Sequence, residues 1–415
     1  GCAISQSSAS MMTEAVKGLE LDDADGLAKA FREYMTGHVD HPERDLGDLE
    51  VLDGVRKFPV RVKCATLGWN TLQEALKEFR SGEKSGSVVV DEAEVIAFAD
   101  VTGDSFKLAR EAAARPEAEY IVFCGVHFMA EAADILAGPH QQTILPNMEA
   151  GCSMADMASD PDVRQAWREL GAHYGGTDDI IPVTYMNSAA SLKAFCGEHG
   201  GIVCTSTNAR QVLDWSFARR EKVLFFPDQH LGRWSGYMIG IPPDEMLVWD
   251  FDEPLGGLTP EQIRKARVLL WKGHCSVHQM FQVQHVLNFR AAWPEGMVIA
   301  HPECNFEVCK LSDYVGSTDF IIKTIMESKP NTRWLVGTEL NLVNRLAEAV
   351  KPQGKVVQFM APTVCVCSTM ARIDPQHLAW TLENLVDGKV VNRISVPERE
   401  AESARVALKR MLEVV

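Results

Sequence analysis

From about residue 86 onward the chain repeats one pattern: a short apolar run, a turn, and a stretch with helical period. The runs YIVFCGV, TILP, IIPVTYM, GIVCTS, KVLFFP, RVLLW, GMVIA, RWLVG and KVVQFMA have strand length and little apolar–polar alternation. Strands apolar on both faces need cover on both faces, and parallel sheets with crossover helices provide it. Segments such as FMAEAADILAG, SAASLKAFCGEHG, ARQVLDWSFARR and LNLVNRLAEAVK supply those helices. The class that follows is α/β. Such folds bind ligands at the carboxyl ends of strands, where the loops begin.

At 415 residues the chain needs more than one core. Its 41 Lys+Arg stand against 57 Asp+Glu, a net charge of −16, and no basic stripe offsets this locally. That balance opposes phosphate backbones and excludes nucleic acid as the expected partner. The longest apolar runs stop far short of the ~20 residues a membrane span requires. The eleven cysteines are odd in number and contain no C-x-x-C, so they suit neither a disulfide framework nor a zinc ribbon. A reducing, cytoplasmic setting is the expected one. The opening GCAIS would match an N-myristoylation signal if a Met preceded Gly1, so a lipid-anchored protein is the weaker alternative, with a plastid location another.

Three strand-end loops finish in cysteine: TILPNMEAGC at Cys152, RVLLWKGHC at Cys275, and VVQFMAPTVCVC at Cys365 and Cys367. The intervals approach one α/β unit each, which suggests an internal triplication delivering one thiolate per unit to a common centre. Buried structural cysteines are the competing reading. The glycines and polar groups around them (AGCS, KGHCS, CSTM) oppose it. Residues 1–85 differ in composition and read as an N-terminal extension that caps or tethers the body, with a helix expected over TLQEALKEFRSGEKSG.

The blocks FCGVHFMAEAADIL, LPNMEAGCSMADM, VTYMNSAASLKAF, CTSTNA, FFPDQHLGRW, WKGHCSVH, HPEC, GSTDFII, VGTELNLVNRL and CSTMARID occur in order and resemble the quinolinate synthase family. The resemblance covers residues 86–415 and is closest to the longer bacterial form. It implies three similar αβα domains around a [4Fe–4S] cluster: residues 86–155 with 369–415, then 156–276, then 277–368. It also implies condensation of iminoaspartate with dihydroxyacetone phosphate to quinolinate, the precursor of NAD, and L-aspartate oxidase as a supplier of substrate. Carried over residue by residue, the cluster ligands are Cys152, Cys275 and Cys367, with Cys365 competing for the third place. Three thiolates leave one iron free to act as a Lewis acid on substrate. Ser105, Tyr185, Asn187, Ser206, His301, Glu303, Ser317 and Thr318 are the implied substrate contacts, with Ser317 and Thr318 as a phosphate seat at a helix start. Glu303, His301 and Tyr185 are the implied catalytic groups.

One family block is missing. Where the family carries a His-Tyr pair (HHYQ or HYYQ), this chain has SGSVVVDEAEV, and the two positions fall on Val88 and Val90. Valine neither donates nor accepts a proton, so a cluster protein with another substrate, or with no turnover, is the alternative. His127 and His230 are expected to order loops, and His278 to support Cys275 from behind. Cys124, Cys196, Cys204, Cys304 and Cys309 are expected in the core.

Overall fold

The computed structural model describes the chain apart from residues 1–2, 38, 40, 43, 58–61, 63–64, 67, 71, 74–75, 77–92, 97–98, 104–106, 109, 112–113, 363–366 and 415. It divides into two compact units, residues 1–91 and 92–415. Most of the helix expected after Asn70, together with Val88, Val90, Ser105 and Cys365, lies outside the described residues.

The first unit has a core of its own. Its helices are Ala3–Ala15 and Leu21–Met35, followed by a 3-10 run at Gly47–Lys57. In the second helix Ala24, Leu27, Ala28, Phe31 and Met35 fall on one face at helical spacing, and all are buried. Phe31 stacks on Trp69 with ring centroids 4.6 Å apart, and the Trp69 indole donates to the Ser8 hydroxyl at 3.2 Å. An indole buried with its N–H satisfied marks a settled core position.

The second unit is α/β with parallel sheets, as the doubly apolar runs require. Its strands are β1 Tyr120–Val122, β2 Gln142–Ile144, β3 Ile180–Tyr185, β4 Ile202–Cys204, β5 Lys222–Phe226, β6 Met246–Trp249, β7 Val268–Trp271, β8 Met297–Ala300, β9 Tyr314–Val315, β10 Arg333–Gly337 and β11 Val356–Phe359. They form three sheets, in the orders β1-β2, β4-β3-β5-β7-β6 and β11-β10-β8-β9, and every pairing is parallel. Every residue of β3, β5 and β7 is buried. A buried Val, Leu or Phe side chain stabilises by about 1.5–3 kcal/mol, so these three strands dominate the central core.

Two close approaches set how the pieces meet. The chain returns at residues 392–394 to extend the first sheet: Leu145 N–H donates to the Asn392 carbonyl at 3.1 Å and Ile394 N–H to Thr143 at 2.8 Å. It then enters helix Glu398–Glu413, whose Ala401, Ala404, Ala407, Leu408 and Met411 are buried. This helix lies along helix Ala190–Glu198 so closely that a Cβ on Gly197 would stand 1.8 Å from the Ser403 carbonyl oxygen. At the other approach, a Cβ on Gly273 would stand 2.2 Å from the Pro227 carbonyl oxygen. Gly273 therefore lets the loop after β7 lie against the end of β5, and Gln279 and Cys275 follow from there.

Candidate active site

The carboxyl ends of β3, β5, β7 and β8 deliver polar side chains into one buried space. β3 ends in Tyr185, and β5 runs through Pro227 to Asp228. The β7 loop leads to Cys275 at the start of helix Ser276–Gln279, which carries His278, and β8 leads to His301 and Glu303. Tyr185, His278, His301 and Glu303 are each less than a tenth exposed.

Glu303 is the hub. The Tyr185 hydroxyl donates to its Oε1 at 2.7 Å, and His278 Nδ1 lies 3.0 Å from its Oε2. The His301 ring lies 4.9 Å from that of His278, and His301 Nδ1 accepts from the Glu303 backbone N–H at 3.3 Å. A ring nitrogen that accepts carries no proton, and burial pushes His301 down to about 4, so its imidazole is neutral at pH 7. Burial also opposes charge on His278, but Cys275 and Glu303 on either side raise it to about 10. Burial alone would raise the Glu303 carboxyl. The charge and hydrogen bond of His278, with the Tyr185 hydroxyl, outweigh it and hold Glu303 below the usual carboxylate range. Tyr185 is itself pushed up by burial and then by Glu303. The arrangement is an ionised carboxylate between a cationic and a neutral imidazole, with a phenol that keeps its proton to donate.

The other expected groups fall around this hub in different ways. The Ser206 hydroxyl interacts with that of Tyr185. Asn187 follows two residues after Tyr185, and its buried Oδ1 has no hydrogen-bond partner, which leaves an acceptor's place for a ligand N–H or O–H. Ser317 caps helix Thr318–Glu327, its hydroxyl accepting from Phe320 N–H at 3.4 Å, and with Thr318 it follows β9, the neighbour of β8. Among the described residues no hydrogen bond joins Ser317 or Thr318 to Glu303.

Cys152, Cys275 and Cys367 are partly exposed thiols at the edges of the hydrophobic cores, with Cys275 bordering both the central core and that of the third sheet. Cys152 feels both Cys367 and Glu303 as neighbouring negative charges, and Cys275 feels Glu303. Burial pushes the Cys152 thiol up to about 12, while the backbone amides of Ala155 and Met154 donate toward its sulfur. Amide donors aimed at the Cys152 sulfur, with the Cys367 thiol near enough to act on it, suit thiolates held by an iron–sulfur cluster, whose charge such donors stabilise. The donor set fits the expected group.

Two residues were not legible in these roles. Asp228 caps helix Gln229–Met238, accepting from His230 and Leu231 N–H at 2.6 and 3.0 Å, while its buried Oδ2 has no partner. Burial and then Glu303 push its carboxyl well up. The signal available was Asp just before a helical stretch. His278 touches Glu303 directly, beyond the support of Cys275 expected of it. The expected loop ties take another form: His127 lies 3.6 Å from Glu131 of its own helix, His127–Leu136, and His230 Nε2, in helix Gln229–Met238, lies 2.6 Å from Gln279 of helix Ser276–Gln279. Cys196, Cys204, Cys304 and Cys309 are buried as expected. Cys124 is not: it is exposed, because β1 ends at Val122 and the thiol falls in the loop beyond the sheet.

Residues 89–413 match the family model described as quinolinate synthetase A protein, and residues 1–65 match that of the NifU-like N terminal domain. The chain is 57% identical to the quinolinate synthase of Nocardioides sp. over 326 residues, which are 77% of this chain and 82% of that one. It is 56% identical to that of Corynebacterium glutamicum, covering 78% and 81% of the two chains, and 53% identical to that of Acidobacterium capsulatum, covering 77% and 86%. No described helix is long and apolar enough to cross a membrane.

Proposed function

Because the chain belongs to the quinolinate synthase family, we propose that it condenses iminoaspartate with dihydroxyacetone phosphate to quinolinate in NAD biosynthesis, with loss of phosphate and water. The observation that carries this reading is the Tyr185–Glu303–His278 network, closed at 2.7 and 3.0 Å, with Cys152 and Cys275 near enough for Glu303 to act on both thiols. Cys152, Cys275 and Cys367 would hold a [4Fe–4S] cluster, which supplies Lewis-acid assistance to the departure of hydroxyl groups when bound. Glu303 accepts protons in the ring-closing steps, and Tyr185 and His278 restore its charge balance as it does so. Neutral His301 donates from Nε2 to a substrate oxygen, since its Nδ1 is already an acceptor. Asn187 and Ser206 orient carboxylates of the substrate, while Ser317 and Thr318 receive the phosphate at their helix start. Ser105 is proposed as a further contact. The cytoplasm is the proposed compartment, with L-aspartate oxidase as supplier of the unstable imine. The three αβα domains take the boundaries set out above.

The test is anaerobic reconstitution with iron and sulfide, followed by quinolinate measurement from the two substrates. Ser317→Ala with Thr318→Ala should weaken dihydroxyacetone phosphate more than iminoaspartate. Equal losses would sink the phosphate seat. Val88 and Val90 favour a second reading, a cluster protein of the same family with another substrate. The family match begins at residue 89, so the expected His-Tyr pair sits at its margin. Absence of quinolinate from a cluster-loaded chain would favour that reading.

A further inference from the structure

We propose that Cys275, His278 and Glu303 form a site for a single divalent ion of the zinc class, available whenever the cluster is not in place. One ligand atom from each of these three residues lies within 4.8 Å of the others, and His278 and Glu303 are buried. Thiolate, imidazole and carboxylate are together a zinc donor set, and three protein ligands leave a fourth position for water. Bond lengths of about 2.0–2.3 Å to one ion require donors roughly 3–4 Å apart, so closure needs only side-chain adjustment.

The second observation is what surrounds the ring. His278 Nδ1 stands 3.0 Å from Glu303 Oε2, and the same buried imidazole interacts with Cys275. A carboxylate, an imidazole and a thiol thus converge on one small buried volume. The carboxylate is also oriented from behind: Tyr185 holds Oε1 at 2.7 Å, leaving Oε2 toward His278. Outer hydrogen bonds of this kind fix ligand direction in metal sites. Cys275 and His278 sit one helical turn apart at the start of helix Ser276–Gln279, so the pair is local, and Glu303 closes it from the β8 loop.

The ion would take Cys275 as thiolate, the thiol proton leaving to solvent. It uses only one of the three thiols assigned to the cluster, so ion and cluster exclude each other at that sulfur. Zinc is therefore an inhibitor of cluster assembly in this chain, acting inside the active site.

The test uses the full chain carrying Cys152→Ser and Cys367→Ser, which retains the trio and lacks two cluster thiols. Anaerobic titration with Co2+ should give about one ion per chain, with a thiolate-to-cobalt charge-transfer band and the strong d–d absorption of four-coordination. Zn2+ should displace it. Adding His278→Ala should weaken binding by about 100-fold or more, beyond what loss of an outer partner costs. Adding Cys275→Ser should abolish the charge-transfer band. Because His278→Ala leaves a void, His278→Gln serves beside it and must lose affinity too, with the metal-free melting curve of each variant compared with its parent. No Co2+ bound, or binding indifferent to His278 and Cys275, overturns the site. Iron content of the wild-type chain reports separately on the cluster, so the two ideas fail independently.

Discussion

Lys193 is wholly buried, its ammonium bonded to the Ser188 carbonyl and facing Glu131. Burial pushes it down to about 8 against the pull of Glu131. Its folded pKa is therefore below its ordinary value of 10.5, and between the two the unfolded chain holds a proton the folded chain has released. Stability must rise with pH across that window, by up to about 3 kcal/mol. Urea titrations from pH 7 to 10.5 should show wild type gaining on Lys193→Met; a constant difference would mean Lys193 titrates normally. Tyr185 poses the sharper functional question. Tyr185→Phe removes the donor to Glu303 and should cost about 10²–10⁴ in kcat. It should also move the acid limb of the rate profile to higher pH, since a donor that lowers the Glu303 pKa is gone. An unshifted limb would detach Glu303 from the profile. Tyr185, His301 and Glu303 entered the sequence reading through the family resemblance of the blocks that carry them; taken alone, the tyrosine reads as an ordinary buried polar group and the H-x-E as a surface turn. Their mutual contact was not legible, because no periodicity reports a pairing across 118 residues.

At the scale of elements, the doubly apolar runs marked every long buried strand, while β6 and β9 escaped. β6 is an edge strand half buried at its centre, followed closely by the turn-rich DFDEPLGG, and β9 is only two residues long. β9 offers too few apolar positions to stand out, whereas β6 carries MLVW, as many consecutive apolar residues as β7, and its omission has no such reason. Helices were legible by period, but what they dock against was not. Helix Glu398–Glu413 shows this: its stripe of alanines predicts close packing, and Gly197 is where the approach is tightest. Gly197→Ala would gain up to about 1 kcal/mol of helix propensity. It would also drive a Cβ to 1.8 Å from a backbone oxygen, which flexible side chains cannot relieve. Overpacking costs about 1–3 kcal/mol or more, so the substitution should lower the urea midpoint. An unchanged or higher midpoint would refute this account of the docking.

For the whole molecule, the outstanding question is the region near residues 88–90. Two general acid–base groups contribute about 10²–10⁴-fold each, so a chain with valines there should make little quinolinate even when its cluster is loaded. Val88→His with Val90→Tyr should raise the rate. Each single change should do less, because groups in one proton-transfer chain are not additive. High activity in the unmodified chain would show that another residue has taken the role, with Asp91 and Glu92 the first to replace. The sequence changes composition near residue 85 and the compact units part at residue 91, but the separate core around Phe31 and Trp69 was not legible. The acidic, turn-rich HVDHPERDLGDLEVLDG drew the expectation of a cap or tether, although the helix before it, Leu21–Met35, already carries Leu27, Ala28, Phe31 and Met35 on one apolar face.

The Tyr185–Glu303 hydrogen bond joins the ends of strands from two different sheets, and the three thiols emerge from the ribosome far apart in time. A nascent chain halted after β7 has made Cys152 and Cys275 but neither the carboxylate nor Cys367. On the proposed ligand set, cofactor loading would be a step for the finished chain, and a truncated product could not start the chemistry with part of a site.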